Sequence, residues 1–327
     1  MKIELKPLQE QVIVITGATS GIGLTTARAA VARGAKVVLV ARTEDALRQV
    51  AEELERRGGQ VAWAIADVAD RAALDRVVEV AVDRFGRIDT WVNDAGVGAY
   101  AKIEEISEAD HRRIFETNYW GVVNGSLAAV RHFRRRCSSG ALINVGSISS
   151  DMPAPVLSTY TATKHAVKGF TNSLRLELMH DRAPISVTLI KPSGISTPFG
   201  DHAKNYMDDA SRVPPPVYDP QLVANAILHA AETPTREIVV GGIGRLMTAF
   251  ARLAPSLADR IYADAFHRTA VDPKRPAQQG DALHEGASEG VARGDEKFVL
   301  KRSLYTSAVM HPGRWAAGAL AVGAVVA

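Results

Sequence analysis

Cysteine is almost absent from the sequence, since Cys137 is the only one in 327 residues. A chain with one thiol builds no internal disulfide framework, which favours a reducing compartment. Long hydrophobic runs are also missing near the start. Residues 1–7 carry charges where a secretory signal needs an apolar stretch, and the apolar run Val12–Ile15 is too short to serve as one. These absences predict a cytoplasmic protein.

Aromatic residues are also scarce, and neither positive nor negative charge is in large excess. Aromatic side chains make up 6% of the sequence and do not interleave with a basic patch, so the pattern of a nucleic-acid-binding surface is missing. The basic run Arg131–Arg136 ends a helical pattern, where cations complement the helix dipole, although a contact with a phosphate or an acidic partner is the alternative. We expect no nucleic-acid partner, and no cluster of ligating residues indicates a metal.

A glycine-rich turn follows the first apolar run. Val12–Thr16 has the length and composition of a buried strand, and it precedes the turn Gly17-Ala-Thr-Ser-Gly21-Ile-Gly23 and a helical pattern. A second strand-like run, Lys36–Val40, comes at the spacing of a βαβ unit. Glycines let the backbone turn sharply and approach a pyrophosphate, which the amides of a helix N-terminus then bind. This order predicts a dinucleotide-binding unit.

The alternation of strand-like and helix-like segments continues to about residue 240. It predicts an α/β fold with a doubly wound, seven-stranded parallel sheet (Rossmann fold) and helices on both faces. Right-handed crossovers then place the ligand-binding loops at the carboxyl ends of the strands. The predicted strands are Val12–Thr16, Lys36–Val40, Val61–Ile65, Thr90–Asn93, Ala141–Val145, Ser186–Ile190 and Glu237–Val240.

Tyr160 and Lys164 are four residues apart, a spacing that puts both side chains on one face of a helix. A free phenol titrates near pH ~10, and a nearby ammonium would favour its ionised form. The alternative is an incidental pair on a surface helix. The apolar run 142–145 precedes Ser147, which stands thirteen positions before the tyrosine, as a strand would end beside that helix. Ser147 and Tyr160 are therefore candidates to share a substrate oxygen.

Together these motifs resemble the short-chain dehydrogenase/reductase family over residues 8–245. Three residues separate Gly17 from Gly21, as in that family and unlike the common Gly-x-Gly-x-x-Gly fingerprint. Asp94 stands where the family usually has asparagine, Gly146 where serine is common and Ser193 where glycine is usual, and none of these removes a catalytic group. The other landmarks in chain order are Asp67-Val68, Asn93-Asp-Ala-Gly96, Asn118, Ser147, Tyr160, Lys164 and Lys191-Pro-Ser-Gly-Ile-Ser-Thr197.

The resemblance implies an oxidoreductase in which Tyr160 is the acid or base at a carbonyl or alcohol oxygen. Lys164 would bind the nicotinamide ribose and lower the tyrosine pKa, and Ser147 would hydrogen-bond the reacting oxygen. Asn118 would hold a proton-relaying water, although an asparagine in a helix can also simply bond to backbone. The predicted cofactor-binding residues are Gly17, Thr19, Ser20, Gly21, Ile22, Gly23, Arg42, Asp67, Val68, Asn93, Ala95, Gly96, Tyr160, Lys164, Pro192, Ile195 and Thr197.

The end of the second predicted strand indicates which nicotinamide cofactor binds. A carboxylate there would accept hydrogen bonds from the adenosine ribose and favour NAD. This chain has Ala41 and then Arg42, whose guanidinium can pair with a 2′-phosphate. We therefore expect NADP, with NAD as the alternative if Arg42 is merely solvated.

The substrate is indicated only by class. Residues 196–216 should form a mobile lid over the pocket, with Phe199, Tyr206 and Met207 as apolar walls. His202 and Lys204 are expected to be solvated, and the alternative is that they meet a polar group of the substrate. Apolar walls favour an uncharged carbonyl or alcohol of moderate size.

After residue 245 the family pattern stops. We expect a catalytic domain at 1–245, an amphipathic helical extension at 246–270, a disordered linker at 271–297 and an apolar tail at 298–327. The apolar end of the tail is shorter than the ~20 residues of a spanning helix, so we expect it either to associate weakly with a membrane surface or to pack on a partner subunit. Residues after about 270 should then be dispensable for the chemistry.

Two functions are consistent with the sequence. The first is an NADP(H)-dependent oxidoreductase, for which the family resemblance also implies a homodimer or homotetramer. The alternative is a non-catalytic cofactor-sensing or membrane-peripheral binding protein on the same fold. Loss of Tyr160 or Lys164 would favour the alternative, and both are present.

Overall fold

The structure, a computed structural model, describes residues 3–277, 281–286 and 290–313. Its centre is a parallel sheet of seven strands in the order β3-β2-β1-β4-β5-β6-β7, which confirms the predicted fold class. The chain reverses direction across the sheet between β1 and β4, the position where such sheets bind ligands. The strands are β1 Val12–Thr16, β2 Lys36–Ala41, β3 Val61–Ile65, β4 Thr90–Asn93, β5 Gly140–Val145, β6 Ile185–Pro192 and β7 Glu237–Val240.

The central strands are apolar throughout because both faces of the sheet are covered. In β1, Ile13 and Ile15 pack into one apolar layer and Val12 and Val14 into the other, and all four are buried. Burial of each such side chain stabilises the fold by about 1.5–3 kcal/mol. This two-sided burial explains why the strands read as continuous apolar runs in the sequence.

Helices cover both faces of the sheet. The layer around Ile13 contains residues of α1, α2 and α8, and the layer around Val12 contains residues of α3, α5 and α6. The helices are α1 Gly21–Ala32, α2 Glu44–Arg56, α3 Arg71–Phe85, α4 Glu108–Phe115, α5 Gly121–Arg136, α6 Ser158–His180, α7 Phe199–His202, α8 Pro220–Glu232, α9 Gly242–Leu253, α10 Pro255–Thr269 and α11 Leu304–Met310.

The segment between α4 and α5 is a π-helix, Glu116–Trp120. Such a widened turn interrupts the regular backbone ladder and is frequent at functional sites. It contains Asn118, whose side chain is fully buried beside α6. The sequence did not predict this turn.

Three short pairings connect the segment after β6 with other parts of the chain. Lys204–Asn205 pairs with Ala99–Tyr100, so the predicted lid is attached to the loop after β4. Asp209–Ser211 pairs antiparallel with Val271–Pro276. The third pairing is three-stranded and consists of Gly194–Ile195, Val217–Tyr218 and Val299–Leu300.

Described residues of the predicted linker at 271–297 have secondary structure and side-chain contacts, and the linker assignment itself stays a prediction. Val271–Pro276 is a strand, Leu283 is fully buried, and Arg293 bonds to Asp219 at 3.1 Å. The composition suggested disorder because this stretch has few large apolar residues. Its described residues are held mainly by backbone and charged contacts instead.

The extension after β7 contains α9 and α10, which meet at Pro255. The domain boundaries at 245 and 270 remain predictions. Of the predicted apolar tail at 298–327, residues 298–313 are described and include Val299–Leu300 and α11, and residues 314–327 lie outside the described residues. Within the described ranges, no helix combines the length and the apolarity needed to cross a membrane.

Candidate active site

A cleft of about 300 Å³ runs along the carboxyl ends of the strands. It lies at the small end of the range for small-molecule sites. All but three of the predicted site residues line this cleft: Gly17, Thr19, Ser20, Gly21, Ile22, Arg42, Asp67, Val68, Ala95, Gly96, Ser147, Tyr160, Lys164, Pro192, Ile195 and Thr197. The sequence motifs therefore converge on one place, as the parallel sheet requires.

The glycine loop is held tightly against the loop after β4. Gly17 has φ +71°, and a Cβ there would lie 2.9 Å from the Cα of Ala95. A Cβ on Gly23 would lie 2.2 Å from the carbonyl oxygen of Gly17. Gly23 is therefore a packing residue beneath the cleft, and it does not line it. Gly21 has φ +53° and directly follows Ser20, the N-cap of α1.

Tyr160 and Lys164 lie one turn apart on α6 and face the cleft together. The Lys164 Nζ is 5.4 Å from the centre of the Tyr160 ring and donates a hydrogen bond to the Val145 carbonyl at 2.9 Å. Phe199 of the lid packs on the other side, with its ring centre 5.3 Å from that of Tyr160. The phenol is thereby fixed between a cation and an aromatic wall.

Ser147 is the N-cap of a short 3-10 helix, Ile148–Ser150, that follows β5. Its hydroxyl accepts a hydrogen bond from the Ser149 amide at 3.0 Å. The same hydroxyl interacts with the Tyr160 phenol and acts to lower its pKa. The cap thus orients the serine toward the tyrosine.

Burial dominates the ionisation of the three charged or ionisable groups at the inner end of the cleft. It raises the pKa of Tyr160 to about 12, where Ser147 opposes the change and the Asp94 carboxyl adds to it. It lowers the pKa of Lys164 to about 8, and Asp94 opposes that change. We predicted a lowered tyrosine pKa beside Lys164. In this structure desolvation of the phenolate is the largest influence, so the pKa of Tyr160 rises instead.

Asp94 is the third ionisable group, and the sequence flagged it only as a departure from the family. Burial raises its pKa to about 7, while Lys164 and the Gly23 amide act to lower it. The Thr16 hydroxyl accepts hydrogen bonds from the amides of Asp94 and Ala95 at 3.0 and 3.1 Å, which fixes the loop. A carboxyl that titrates near neutrality therefore lies close to Lys164.

Asn118 does not line the cleft. Its side-chain oxygen accepts from the Val97 amide at 2.8 Å, and its side-chain nitrogen donates to the Val97 carbonyl at 2.9 Å and to Thr163 at 3.1 Å. Both amide hydrogens are used, so the side chain ties the loop after β4 to α6. A water held by this side chain would have to donate to its oxygen.

Asn93 also lies away from the cleft. It is buried and donates to Asn144 at 2.8 Å, and it accepts from the Trp91 ring nitrogen at 2.8 Å. Its role is to connect β4 with β5. Asn93, Gly23 and Asn118 are thus the three predicted site residues that do not line the cleft, and each packs behind it.

Two arginines lie near the end of the cleft beside β2, and one of them, Arg42, lines it. Arg113 donates to the Asp67 carboxylate at 2.6 Å, and Arg42 donates to the carbonyls of Ala282 and Leu283 at 2.5 and 3.2 Å. Burial and the neighbouring Arg113 lower the pKa of Arg42, and Asp67 opposes this. Burial alone would raise the pKa of Asp67, but hydrogen bonds from Ala69 and Arg113 hold it below its usual value.

Several residues of the cleft were not predicted. They come from segments that carry no family motif in the sequence, and most are apolar side chains that form walls: Met152, Leu157, Val213, Met247, Phe266 and Ala282. Met247 and Phe266 lie on α9 and α10, so the extension takes part in the site. Amphipathic periodicity predicted these helices but could not show which side chains face the cleft.

Of the three predicted lid walls, Phe199 lines the cleft and Tyr206 does not. The Tyr206 hydroxyl donates to the buried Asp110 at 2.5 Å and accepts from the Ser107 amide at 3.2 Å. Lys204 also bonds to Asp110, at 2.8 Å, so it is not simply solvated. Met207 packs beside Tyr160 and Phe199 but is not among the residues that line the cleft.

The residues present fit a dinucleotide. Gly96 is exposed in the cleft, and a Cβ there would lie 3.8 Å from the Lys164 Nζ, so glycine leaves the inner end open. The start of α1 lies at the middle of the cleft and supplies partial positive charge. Within the described ranges, no cluster of His, Cys, Asp and Glu is placed to hold a metal ion.

Comparison with known proteins gives the same family. Residues 11–207 match the family model described as short chain dehydrogenase. The chain is 42% identical over 315 residues to the uncharacterized oxidoreductase YxnA of Bacillus subtilis (strain 168), a match that spans 95% of this chain and 88% of the relative. Such coverage extends well into the residues after 245.

Two solved structures share the fold. One is a short chain dehydrogenase/reductase from Burkholderia phymatum in complex with NAD, with TM-score 0.70 and 23% identity over 82% of this chain and 99% of that one. The other is an alcohol dehydrogenase from the archaeon Thermococcus sibiricus complexed with 5-hydroxy-NADP, with TM-score 0.61 and 26% identity over 70% of this chain and 95% of that one. With the family match, this leads to one conclusion: the chain belongs to the short chain dehydrogenase family of oxidoreductases.

Proposed function

We propose that the protein is an NADP(H)-dependent oxidoreductase that interconverts a carbonyl compound and its alcohol. The observation that carries the proposal is the arrangement of Ser147, Tyr160 and Lys164 at the inner end of a cleft whose middle is the glycine loop. Two hydroxyls and an ammonium thus surround the point where a reacting oxygen would lie next to a nicotinamide. A bound nicotinamide supplies or accepts the hydride.

The chain's own residues handle the proton. During reduction the substrate oxygen gains negative charge, and Tyr160 donates its phenolic proton to it while Ser147 donates a hydrogen bond. The Lys164 ammonium then stabilises the tyrosinate left behind. Because burial holds the phenol pKa at about 12, the phenol is fully protonated at neutral pH and ready to act as the acid. Oxidation of the alcohol runs the same steps in reverse.

Lys164 and Asn118 have supporting roles in this proposal. The Val145 carbonyl anchors the Lys164 ammonium, which leaves its other hydrogens for the ribose of the cofactor. Asn118 positions Val97 against α6, so its contribution to a proton-relaying water would come through its side-chain oxygen or its backbone. Both residues therefore shape the site around Tyr160.

NADP is the proposed cofactor, with NAD as the alternative. Ala41, Arg42 and Thr43 line the outer end of the cleft, and none is a carboxylate that would favour the ribose hydroxyls of NAD. Three of the five N–H donors of the Arg42 guanidinium bond to backbone carbonyls, so two remain for a 2′-phosphate. The Arg42 pKa is lowered, yet an arginine stays protonated at neutral pH.

The substrate class follows from the walls of the inner cleft. Met152, Leu157, Phe199, Met247 and Phe266 surround Tyr160 with apolar surface. An uncharged ketone, aldehyde or alcohol of moderate size would bury its apolar body there and present one oxygen to the two hydroxyls. Oligomeric state and membrane association of the tail remain predictions. The non-catalytic alternative is not favoured, because Tyr160 and Lys164 are both in the cleft.

The test is a panel of substrates with both cofactors. Purified full-length protein is mixed with NADPH or NADH and with aliphatic, aromatic and polycyclic ketones, and the reduced-nicotinamide absorbance is followed. The proposal predicts oxidation of NADPH with at least one apolar ketone and weaker use of NADH. Binding of neither nucleotide, measured by fluorescence titration, would refute it.

A further inference from the structure

Described residues after 276 contact three parts of the candidate cofactor cleft, namely the lid, the end of β2 and the glycine loop. We use the name strap for residues 281–286 and 290–296. The first piece bonds to the lid and to Arg42 at the end of β2, since the Ala282 amide donates to the His202 carbonyl at 2.8 Å and Arg42 donates to the Ala282 carbonyl at 2.5 Å. The second piece reaches the glycine loop, where the Gly21 amide donates to the Val291 carbonyl at 2.9 Å.

The strap is anchored on both sides of the cleft. Before it, Val271–Pro276 pairs with the strand Asp209–Ser211 of the lid. After it, Val299–Leu300 pairs with Val217–Tyr218. The strap's own Glu296 accepts a hydrogen bond from Ser196 at 2.5 Å. The two described pieces of the strap therefore lie against the outer side of the cleft, between these two anchoring pairings in the sequence.

The first piece is also fixed by its side chains. Leu283 is fully buried in an apolar cluster with Val97, Ala99 and Ile114. The ring of His284 bonds to the buried Asp110 at 2.6 Å. These contacts hold the strap from the side of α4 and of the loop after β4, and they are independent of Arg42.

The strap forms a wall of the cleft and does not fill it. Ala282 and Gly286 line the same cavity as the glycine loop, Arg42 and Asp67, and space remains between them. Gly286 sits so close to the end of β2 that a Cβ there would lie 2.1 Å from the Thr43 hydroxyl oxygen. A molecule in the adenosine end of the cleft would therefore be enclosed between the sheet and the strap.

We propose that the strap encloses the adenosine half of the bound dinucleotide and must open for the cofactor to enter or leave. The inference rests on the proposed function, because it takes the nucleotide to lie in this cleft. Arg42 would then serve twice, since the same guanidinium holds the strap carbonyls and faces the 2′-phosphate. Closing of such a strap would limit the rate of cofactor exchange.

A reversible cross-link tests the proposal directly. A Cβ built on Gly286 lies 3.4 Å from the Cβ of Thr43, close to the ~3.5–4.5 Å of a disulfide. Thr43→Cys and Gly286→Cys are combined in a Cys137→Ser background, because Cys137 is an exposed free thiol that would form competing bonds. Each single cysteine variant in the same background is the control, since it has no partner to bridge.

The order of oxidation and nucleotide addition gives the readout. Oxidised empty protein should bind NADPH at least about tenfold more slowly than the reduced form, and protein loaded before oxidation should release it at least about tenfold more slowly in a fluorescence chase. Reducing agent should restore both rates, and the single variants should not respond. Equal NADPH exchange rates in the oxidised and reduced forms would refute the proposal that the strap must open. Failure of the disulfide to form in the loaded protein would also refute it.

Two further measurements separate this inference from the proposed function. Amide hydrogen exchange of the glycine loop, followed without nucleotide, should slow in the oxidised protein, and an unchanged rate would overturn the strap whatever the cleft binds. Conversely, a reduced protein that binds neither NADPH nor NADH would refute the proposed function alone. Leu283→Asp should speed NADPH release several-fold, whereas Leu304→Asp, at an exposed leucine of α11, should not.

Discussion

Asp94→Asn should make the protein more stable at neutral pH, because the native carboxyl is held in a place that disfavours its charge. Its pKa rises from 3.8 to about 7, chiefly by burial, with Lys164 and the Gly23 amide only partly offsetting the change. An acid whose folded pKa is raised binds more protons in the folded than in the unfolded state. Native stability therefore falls as pH rises from 4 to 7, and asparagine removes that loss.

The magnitude follows from the shift. A shift of three pKa units changes the free-energy difference between the two protonation states by about 4 kcal/mol. Asp94 borders the open cleft, where water screens the carboxylate, so we expect a gain nearer 1–2 kcal/mol at pH 7. At pH 4 the carboxyl is neutral in the folded protein and about half ionised in the unfolded one, so only a small part of the loss has developed and the variant and the native protein should differ little there.

Urea unfolding of both proteins at a series of pH values between 4 and 7, without nucleotide, measures this difference. The gap in the free energy of unfolding should widen steadily with pH. Asp75→Asn, at a half-exposed carboxylate on α3, is a matched control that should give a small, nearly constant gap. A gap for Asp94→Asn that does not change with pH would refute the electrostatic argument.

Three further predictions concern the cleft. Lys164→Ala should weaken NADPH binding and lower turnover together, since it removes both the ribose contact and the charge beside the phenol. Normal NADPH affinity by titration, or normal turnover by kinetics, would contradict the role assigned to Lys164. Arg42→Asp should lower the ratio of kcat/KM for NADPH over NADH at least about tenfold by loss of a charge-assisted contact, and the ratio cancels effects of the strap common to both cofactors. Gly23→Ala should destabilise the protein by about 1–3 kcal/mol, because the added Cβ meets the Gly17 carbonyl at 2.2 Å; an unchanged thermal midpoint would show that the loop relaxes freely.

The strands of the sheet could be predicted nearly to the residue because burial on both faces imposes the same local apolar pattern on each of them. Val61–Ile65, Thr90–Asn93 and Glu237–Val240 end where the predicted strands end. Strands of a buried parallel sheet need apolar residues in an unbroken run, and this leaves a clear pattern in the sequence. Most predicted site residues line the cleft for a related reason, since parallel strands bring their carboxyl ends to one edge.

The contacts around Asp110 could not be predicted in that way. Its carboxylate meets Lys204, Tyr206 and His284, which come from two segments far along the chain. Burial would raise the pKa of Asp110, but these three partners hold it well below its usual value. Contacts between distant segments leave no periodic pattern in the sequence, so the prediction that Tyr206 forms a wall of the pocket was wrong.

The strap was not predicted because many of its contacts are made by backbone carbonyls, and its side-chain contacts join residues far apart in the sequence. Composition alone suggested disorder and a dispensable segment after residue 270. The carbonyls of Ala282, Leu283 and Val291 accept bonds from Arg42 and Gly21, and a carbonyl is the same whatever its side chain. We now expect truncation near Ala270 to change cofactor exchange, in contrast to the expectation from the sequence.

The central claim is that Tyr160 transfers the proton in a nicotinamide-dependent reaction, and Tyr160→Phe tests it most directly. The ring still packs between Lys164 and Phe199, while the transferable proton is lost. Fluorescence titration should give an NADPH affinity within about threefold of the native protein, while turnover of the best ketone falls by at least about 10²-fold. Retained turnover in the purified variant would contradict the account.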